Sequence, residues 1–438
     1  MSIELLTLAL ILSILFIFVL GLPVAFSLSS IAMIFAILLR GPAALGIAVY
    51  ASWGSMTSFV LVAIPLFILL GNILQHSGIA DAAYGMVHKW LGPIRGGLAI
   101  GTVLICTAMA AMVGVIGAGI VTMGIIALPA MIERKYDRKL GMGSIMAGGS
   151  LGALIPPSVP MILFANLTVQ SVGRLFAGGI IPGLILSFLY CTYIGVRGYL
   201  QPHIAPALPP EERVSWREKF VALRGSILPI FIIVAILGSI FTGAATPTEA
   251  AAIGVLGTLI SALIYRKFSW TMLKNAAYDT LRLFGMVFWI LLGAACFTRF
   301  YMSMGAADLV EGMIAASGLS PWAVLIIMQL SLMAMGTVLE DYAIVLIAAP
   351  IYTPIVASLG FNPLWFGILF MINMQIAVLT PPYGFALFYM KGLVSRKGIP
   401  MAEVWRAILP FIPLQVTGLA LTMIFPQLAL WLPEMLFK

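Results

Sequence analysis

Charge is what this sequence has least of. Only 9% of its 438 residues are Asp, Glu, Lys or Arg, against 62% hydrophobic. A soluble fold of this length cannot bury so much apolar surface, so the composition excludes a water-borne globular domain. Cysteine and histidine are also scarce. The three cysteines, Cys106, Cys191 and Cys296, lie inside apolar runs with no Cys-x-x-Cys pair and no histidine at ligand spacing, which excludes a disulfide framework and a zinc site and leaves packing roles. His76, His88 and His203 are far apart, and no Walker loop, His-Glu-x-x-His or Gly-x-Ser-x-Gly occurs, so no catalytic machinery is visible. The glycines of Gly114-x-x-Gly117-x-Gly119 lack dinucleotide-loop spacing and any βαβ context. A net charge of +8 does not point to nucleic acid, because the Lys and Arg are strung between apolar runs and form no basic face.

What is there is apolar sequence at membrane length. About 20 apolar residues span a bilayer as a helix. Such runs fill 5–20, 24–39, 59–74, 98–132, 141–168, 179–199, 226–242, 249–265, 283–298, 321–356, 364–390 and 408–432. Met1-Ser2-Ile3-Glu4 has neither a basic start nor a small-residue cleavage site after its run, so the first run reads as a membrane helix, not a removed signal. The expectation is an all-α, multi-pass membrane protein.

All but four of the 23 Lys and Arg fall in five groups: Lys89/Arg95, Arg134 to Lys139, Arg197 to Arg224, Arg266 to Arg282, and Lys391 to Arg406. The positive-inside rule makes these cytoplasmic and the N-terminus periplasmic. One straight span cannot connect Arg95 to Arg134, since both ends are then cytoplasmic. The middle of that run, Val113-Gly114-Val115-Ile116-Gly117-Ala118-Gly119, lets the backbone turn back at membrane depth, so 98–132 is expected to be a re-entrant helical hairpin. The run 321–356 is flanked instead by the acidic Asp308 and Glu311 and the uncharged Leu359 to Asn362. Its middle, Gly336-Thr337-Val338-Leu339-Glu340-Asp341, carries charges that lipid would not tolerate. It is expected to be a second hairpin, opening from the opposite side.

Each hairpin precedes a run interrupted by a proline pair, Pro156-Pro157 in one half and Pro381-Pro382 in the other, which should break those helices near mid-membrane. Hairpin plus broken helix is therefore an internal repeat, and the five spans between the two hairpins invert the second copy. Half-helix ends and freed carbonyls should then meet ions and anionic groups at the midplane. Thr246-Pro247-Thr248-Glu249 fits a helix-capping box.

Several motifs in order resemble the large membrane subunit of tripartite ATP-independent periplasmic (TRAP) transporters: Ala63-Ile-Pro65 through Gly71-Asn72, Gly124 to Met131 with Tyr136-Asp137, Leu154-Ile-Pro156-Pro157-Ser158, Ala245-Thr-Pro247-Thr-Glu249, and Leu379-Thr-Pro-Pro-Tyr-Gly384. The resemblance implies an elevator-type transporter in the bacterial inner membrane, driven by a sodium gradient. It also implies two partners, a periplasmic substrate-binding protein that delivers an organic acid anion and a small four-helix membrane subunit. Where many relatives have serines at the first tip this chain has Val113 to Gly119, and a common Asp at the second tip is Glu340.

Within that frame, sodium would be held by oxygens of unwound backbone and hydroxyls. Gly114, Gly117, Ser150, Gly152 and Pro156 frame one site, and Gly336, Thr337, Thr380 and Pro382 frame its counterpart. Ser158, Glu340, Asp341 and Arg299 are candidates to meet substrate. One acid could instead cap the returning helix, and Arg299 could simply snorkel to the interface. No organic cofactor is expected. The expected divisions are 1–95 scaffold and interfacial arm, 96–178 first transport repeat, 179–282 connecting and scaffold helices, 283–400 second transport repeat, and 401–438 C-terminal helix. Stretches 43–58 and 268–280 are expected to lie in the interface plane. The rival readings are a self-sufficient sodium/carboxylate symporter of related fold, and a channel.

Overall fold

The computed structural model describes residues 3–306, 309, 312, 318–337, 339–382, 384–395 and 398–437. The flanking acids Asp308 and Glu311, and Val338 and Tyr383 of the quoted motifs, lie outside the described residues. Among those described, every regular element is helical. Eight helical stretches are long and apolar enough to cross a membrane, from Phe59–His76 to Met401–Ile424.

The chain opens with α1 (Ile3–Val19), α2 (Val24–Arg40), α3 (Gly46–Met56), α4 (Ala63–His76) and α5 (Ile79–Leu91). The first hairpin follows as α6 (Gly97–Val113) and α7 (Ile116–Glu133), then a broken helix as α8 (Arg138–Ser150) and α9 (Val159–Thr168). Five further helices come next: α10 (Val172–Leu200), α11 (Trp216–Ala222), α12 (Ile227–Phe241), α13 (Pro247–Ile264) and α14 (Trp270–Ser303). The second hairpin is α15 (Pro321–Met335) and α16 (Asp341–Ser358), and the second broken helix is α17 (Pro363–Leu379) and α18 (Phe385–Val394). The chain closes with α19 (Met401–Ile408), α20 (Ile412–Ile424) and α21 (Gln427–Leu436).

Local chemistry sets the starts. The side chains of Asp137, Ser158, Ser171, Ser269, Ser320 and Asn362 each accept a first-turn N–H, satisfying donors that a helix cannot satisfy itself. The capping box forms as expected. Thr246 Oγ1 accepts the Glu249 N–H at 3.3 Å, and Glu249 Oε2 accepts the Thr246 N–H at 2.7 Å.

Three expectations need correction. The stretch 268–280 is not a separate in-plane helix. It is the first part of α14, a continuous helix of 34 residues, so the expected boundary between residues 282 and 283 falls inside it. The reason is its cap: Ser269 starts the helix and no Pro or Gly stops it before Gly285. The run 408–432 is two helices, α20 and α21, because Pro426 lacks the donor needed to continue α20. Helix α5 was not anticipated, since Asp81, His88 and Lys89 interrupt its apolar pattern.

Both hairpins pack on the broken helix that follows them, α6 and α7 on α8, and α15 and α16 on α17. The packing is also exchanged between halves, with α7 against α18 and α16 against α9. Around this body, α14 lies along α2, α3 and α4, and α13 lies between α4 and α12. Apolar residues such as Leu12, Phe16, Leu38, Phe188 and Phe231 point outward and are exposed, a surface suited to lipid.

Lipid tails are as apolar as leucine, so helix association here depends on close approach through small residues. Helix α8 supplies them in Gly141, Gly143, Ser144, Ala147, Gly148 and Gly149, all buried. A Cβ on Gly148 would lie 2.9 Å from Cys106 Cβ of α6, and one on Gly149 would lie 2.9 Å from the Ile120 backbone nitrogen of α7. Cys106 and Cys296 are buried and Cys191 is half-buried, as packing residues should be. Gly149→Ala therefore forces backbones apart and should cost about 1–3 kcal/mol. Gly85 has open space around it, so Gly85→Ala should stabilise by roughly 0.5–1 kcal/mol. Thermal unfolding of the two purified variants in one detergent should move in opposite directions.

Candidate functional site

The first hairpin turns in two residues. Gly114 closes α6 with φ +67°, a left-handed conformation that glycine adopts without a Cβ penalty, and Val115 is extended before α7 begins. The turn docks on the break of α8–α9. The Gly114 carbonyl accepts the Val159 N–H at 3.2 Å, and a Cβ on Gly114 would run into the Pro157 carbonyl. Gly152 sits against the Val115 carbonyl, 3.2 Å from where its own Cβ would be. The Pro156–Pro157 bond is cis, as is Pro381–Pro382 in the other half.

Gly114, Gly152 and the Pro156-Pro157 break are thus brought into backbone contact. Gly117 lies one turn further on, with the Tyr389 ring 2.8 Å from where a Cβ would stand. The two serines are committed elsewhere. Ser150 Oγ donates to the Ala147 carbonyl at 2.8 Å and accepts from Gln415 Nε2 of α20 at 3.3 Å. Ser158 Oγ donates to the Ala153 carbonyl at 2.6 Å and caps α9 through the Met161 N–H. Its hydroxyl staples the break.

The second tip is longer. Gly336 has ordinary helical dihedrals, and its glycine is required by packing, since a Cβ would collide with Ala377 of α17. Thr380 follows three residues after Ala377, so Gly336 and the second break adjoin. Thr337 Oγ1 donates to the Ala334 carbonyl at 2.7 Å and Thr380 Oγ1 to Ile376 at 2.6 Å, which leaves each hydroxyl oxygen able to accept or ligate. Pro382 is exposed at the break. Of the two acids, Asp341 takes the Tyr342 N–H on Oδ1 at 3.0 Å and is 6% exposed. Glu340 occupies the N-cap position of α16 without a side-chain capping bond.

The tips face one another across a shared space. A narrow cleft between them is lined by Val115 and Gly117 of the first hairpin and by Glu340 and Asp341 of the second. It shares Val115, Gly117, Leu283 and Tyr389 with a cavity of about 240 Å³ that reaches Asn72, Gln75 and Asp279. Carboxylates line this space, and no Lys or Arg does among the described residues. Arg299 is not part of it. Its side chain is exposed on α14 with the guanidinium against Gly54 of α3, 2.9 Å from a Cβ there.

Asn72, Gln75, Asp279 and Tyr389 were not anticipated. Asn72 and Gln75 are polar residues four and one positions before the end of the apolar α4, and that was the available signal. Asn72 Nδ2 donates to Thr280 Oγ1 at 2.9 Å, tying α4 to α14. Nothing in the local sequence distinguishes Tyr389.

Paired helical hairpins docked on broken helices around a shared cavity define a membrane transporter fold. The structure superposes on the crystal structure of the Alcanivorax borkumensis YdaH transporter with a TM-score of 0.67 at 14% identity, covering 94% of this chain and 97% of that one. In sequence, the family model for the tripartite ATP-independent periplasmic transporter, DctM component, matches residues 11–428. The C4-dicarboxylate TRAP transporter large permease protein DctM of Pseudomonas aeruginosa is 34% identical over 379 residues, covering 86% of this chain and 87% of its own. The sialic acid TRAP transporter large permease protein SiaM of Vibrio cholerae is 30% identical over 424 residues, covering 95% of each. The chain belongs to this family of large TRAP permease components.

Filling the shared cavity should be measurable. With Cys106, Cys191 and Cys296 replaced by serine, a cysteine at Tyr389 should react with a small hydrophilic thiol reagent. Adding Gly117→Leu should slow that reaction about tenfold or more, because the new side chain occupies the space beside residue 389. Equal rates in the two backgrounds would mean the cavity is not the route of access.

Proposed function

We propose that the chain is the translocation subunit of a tripartite carrier that moves an organic acid anion across the bacterial inner membrane, coupled to sodium entry. A periplasmic binding protein delivers the substrate, and a small four-helix membrane subunit braces the scaffold. The observation that carries this reading is the reciprocal docking of the two hairpin tips on the two broken helices around one cavity. Two of the similar proteins are named for C4-dicarboxylates and for sialic acid, both organic acids, which supports that substrate class here.

The coupling has a physical rationale. Sodium prefers oxygen ligands, and each tip sets glycine carbonyls against a proline break, at Gly114 with Gly152 and Pro156, and at Gly336 with Thr337, Thr380 and Pro382. An anion entering a cavity lined by Glu340, Asp341 and Asp279, with no cationic side chain among the described residues, meets no compensating positive charge in a medium of low dielectric. Bound sodium ions supply the missing positive charge, as bound cations do in other sites. Ion binding therefore favours anion binding, and the anion favours the ion by the same factor, which is the thermodynamic content of symport.

The hairpins and broken helices contact one another more than they contact α2, α13 or α14, so they form a body able to move past that scaffold with the cavity at the boundary. Five membrane-crossing units between the hairpins, α8–α9, α10, α12, α13 and α14, support an inverted second repeat and an elevator motion. Basic loops support a periplasmic N-terminus.

In proteoliposomes holding this chain, the small subunit and the binding protein, substrate uptake should fall to background when sodium is replaced by choline. This chain reconstituted alone should give no concentrative uptake. Gly114→Ala adds about 1–2 kcal/mol of left-handed strain, besides the collision with Pro157, and should raise the sodium concentration for half-maximal uptake about tenfold. Sodium-independent uptake by the full assembly would contradict the coupling, and robust uptake by the chain alone would contradict the division of labour.

A further inference from the structure

A second cavity, of about 230 Å³, lies away from the hairpin tips, at the basic end of the molecule, between α8, α10 and α19. Three cations line it from three different helices: Lys139 at the start of α8, Arg197 in the last turn of α10 and Arg406 in the last turn of α19. Asp137 is the one carboxylate on its wall, and its Oδ1 already accepts the Leu140 N–H at 2.9 Å. Among the described residues, none of the three cations is in an ion pair. The ion pair found among the described residues joins Arg134 to Glu212. Arg197 is also under-satisfied: Nη1 donates to Tyr193 Oη at 3.3 Å, while its Nε is buried without a partner.

Like charges brought to one concave site from three helices repel unless something anionic answers them. A buried guanidinium donor without an acceptor is a further cost. The chemistry that satisfies both is a phosphate, whose oxygens can take paired guanidinium N–H groups and a lysine together. The cavity easily holds a phosphate. Its mouth also borders the lipid-facing surface: Val196, next to Arg197, and Leu409, next to Pro410 of the cavity wall, are 51% and 52% exposed. Apolar contact beside a basic pocket at a membrane surface suits an acyl chain attached to that phosphate.

We propose that this cavity binds the headgroup phosphate of an anionic phospholipid from the cytoplasmic leaflet. The bound lipid would tie the first half of the broken helix, α8, to α10 and to α19. The site is independent of the ion and substrate sites above and uses none of their residues.

The test is thermal unfolding of the full-length chain in neutral detergent, titrated separately with phosphatidylglycerol, zwitterionic phosphatidylethanolamine and inorganic phosphate. Phosphatidylglycerol should raise the unfolding temperature saturably, and the other two should do so little. Arg197→Gln and Arg406→Gln should each weaken the apparent phosphatidylglycerol affinity about tenfold, the worth of one charge-assisted hydrogen bond. The double variant should abolish the shift. Arg224→Gln removes the same charge from an exposed position outside the cavity and should leave the affinity unchanged. Native mass spectrometry of the same proteins gives a second readout that does not depend on stability, with the retained phosphatidylglycerol lost from the double variant. Equal lipid retention and equal shifts in wild type and double variant would overturn the site. An inorganic phosphate shift as large as that of the lipid would overturn the lipid assignment.

Discussion

A backbone N–H or carbonyl at membrane depth has no water to turn to, and leaving one unpaired costs several kcal/mol. This chain interrupts two helices with proline pairs and turns two others back on themselves, so it frees such groups at four places. The hydrogen bond from the Val159 N–H to the Gly114 carbonyl resolves two of them at once, joining the orphan donor of a half-helix to the orphan acceptor of a hairpin turn. Once that bond is required, Gly114 must be glycine and the hairpin must dock on the break. In the second half the pairing is local, with the Gly384 N–H donated to the Thr380 carbonyl at 3.1 Å, and the tip docks by packing Gly336 onto Ala377.

The constraint also explains why α8 is so rich in small residues. Docking within hydrogen-bonding distance at one end requires the flanking helices to be nearly in backbone contact along their length, which Gly148 and Gly149 permit and larger residues would forbid. Polar side chains then do mostly structural work. Ser150 bridges to Gln415, Ser158 staples the break, and Thr246 with Glu249 caps α13. The carboxylates Glu340, Asp341 and Asp279 line the shared space.

The sequence was legible where physics leaves few choices. Long apolar runs with glycines at their centre marked both hairpins to within about two residues at their ends, and the proline pairs marked both breaks. The boundary of α14 was not legible, because an amphipathic stretch reads as lying in the interface whether or not it continues into a span. Side-chain roles were harder still. Ser150 and Ser158 look like ligands in sequence because hydroxyls near a break can coordinate ions, but no local pattern shows that each also donates to a backbone carbonyl, of Ala147 and Ala153 respectively. Arg299 is near the cavity only along the chain. Tyr389 lines the cavity through a contact between halves, with α7, that no local pattern encodes.

The most direct test of the account is the sidedness of the two hairpins, since the proposed inverted repeat needs them to enter from opposite faces. Lys135 and Ser358 are both exposed, at the far end of the returning helix of each hairpin. Single cysteines at these positions in a cysteine-free chain, probed with a membrane-impermeant reagent in sealed right-side-out and inside-out vesicles, should label from opposite sides, Lys135→Cys from the cytoplasm and Ser358→Cys from the periplasm. Labelling of both from the same side would contradict the inverted arrangement and with it the proposed transport cycle.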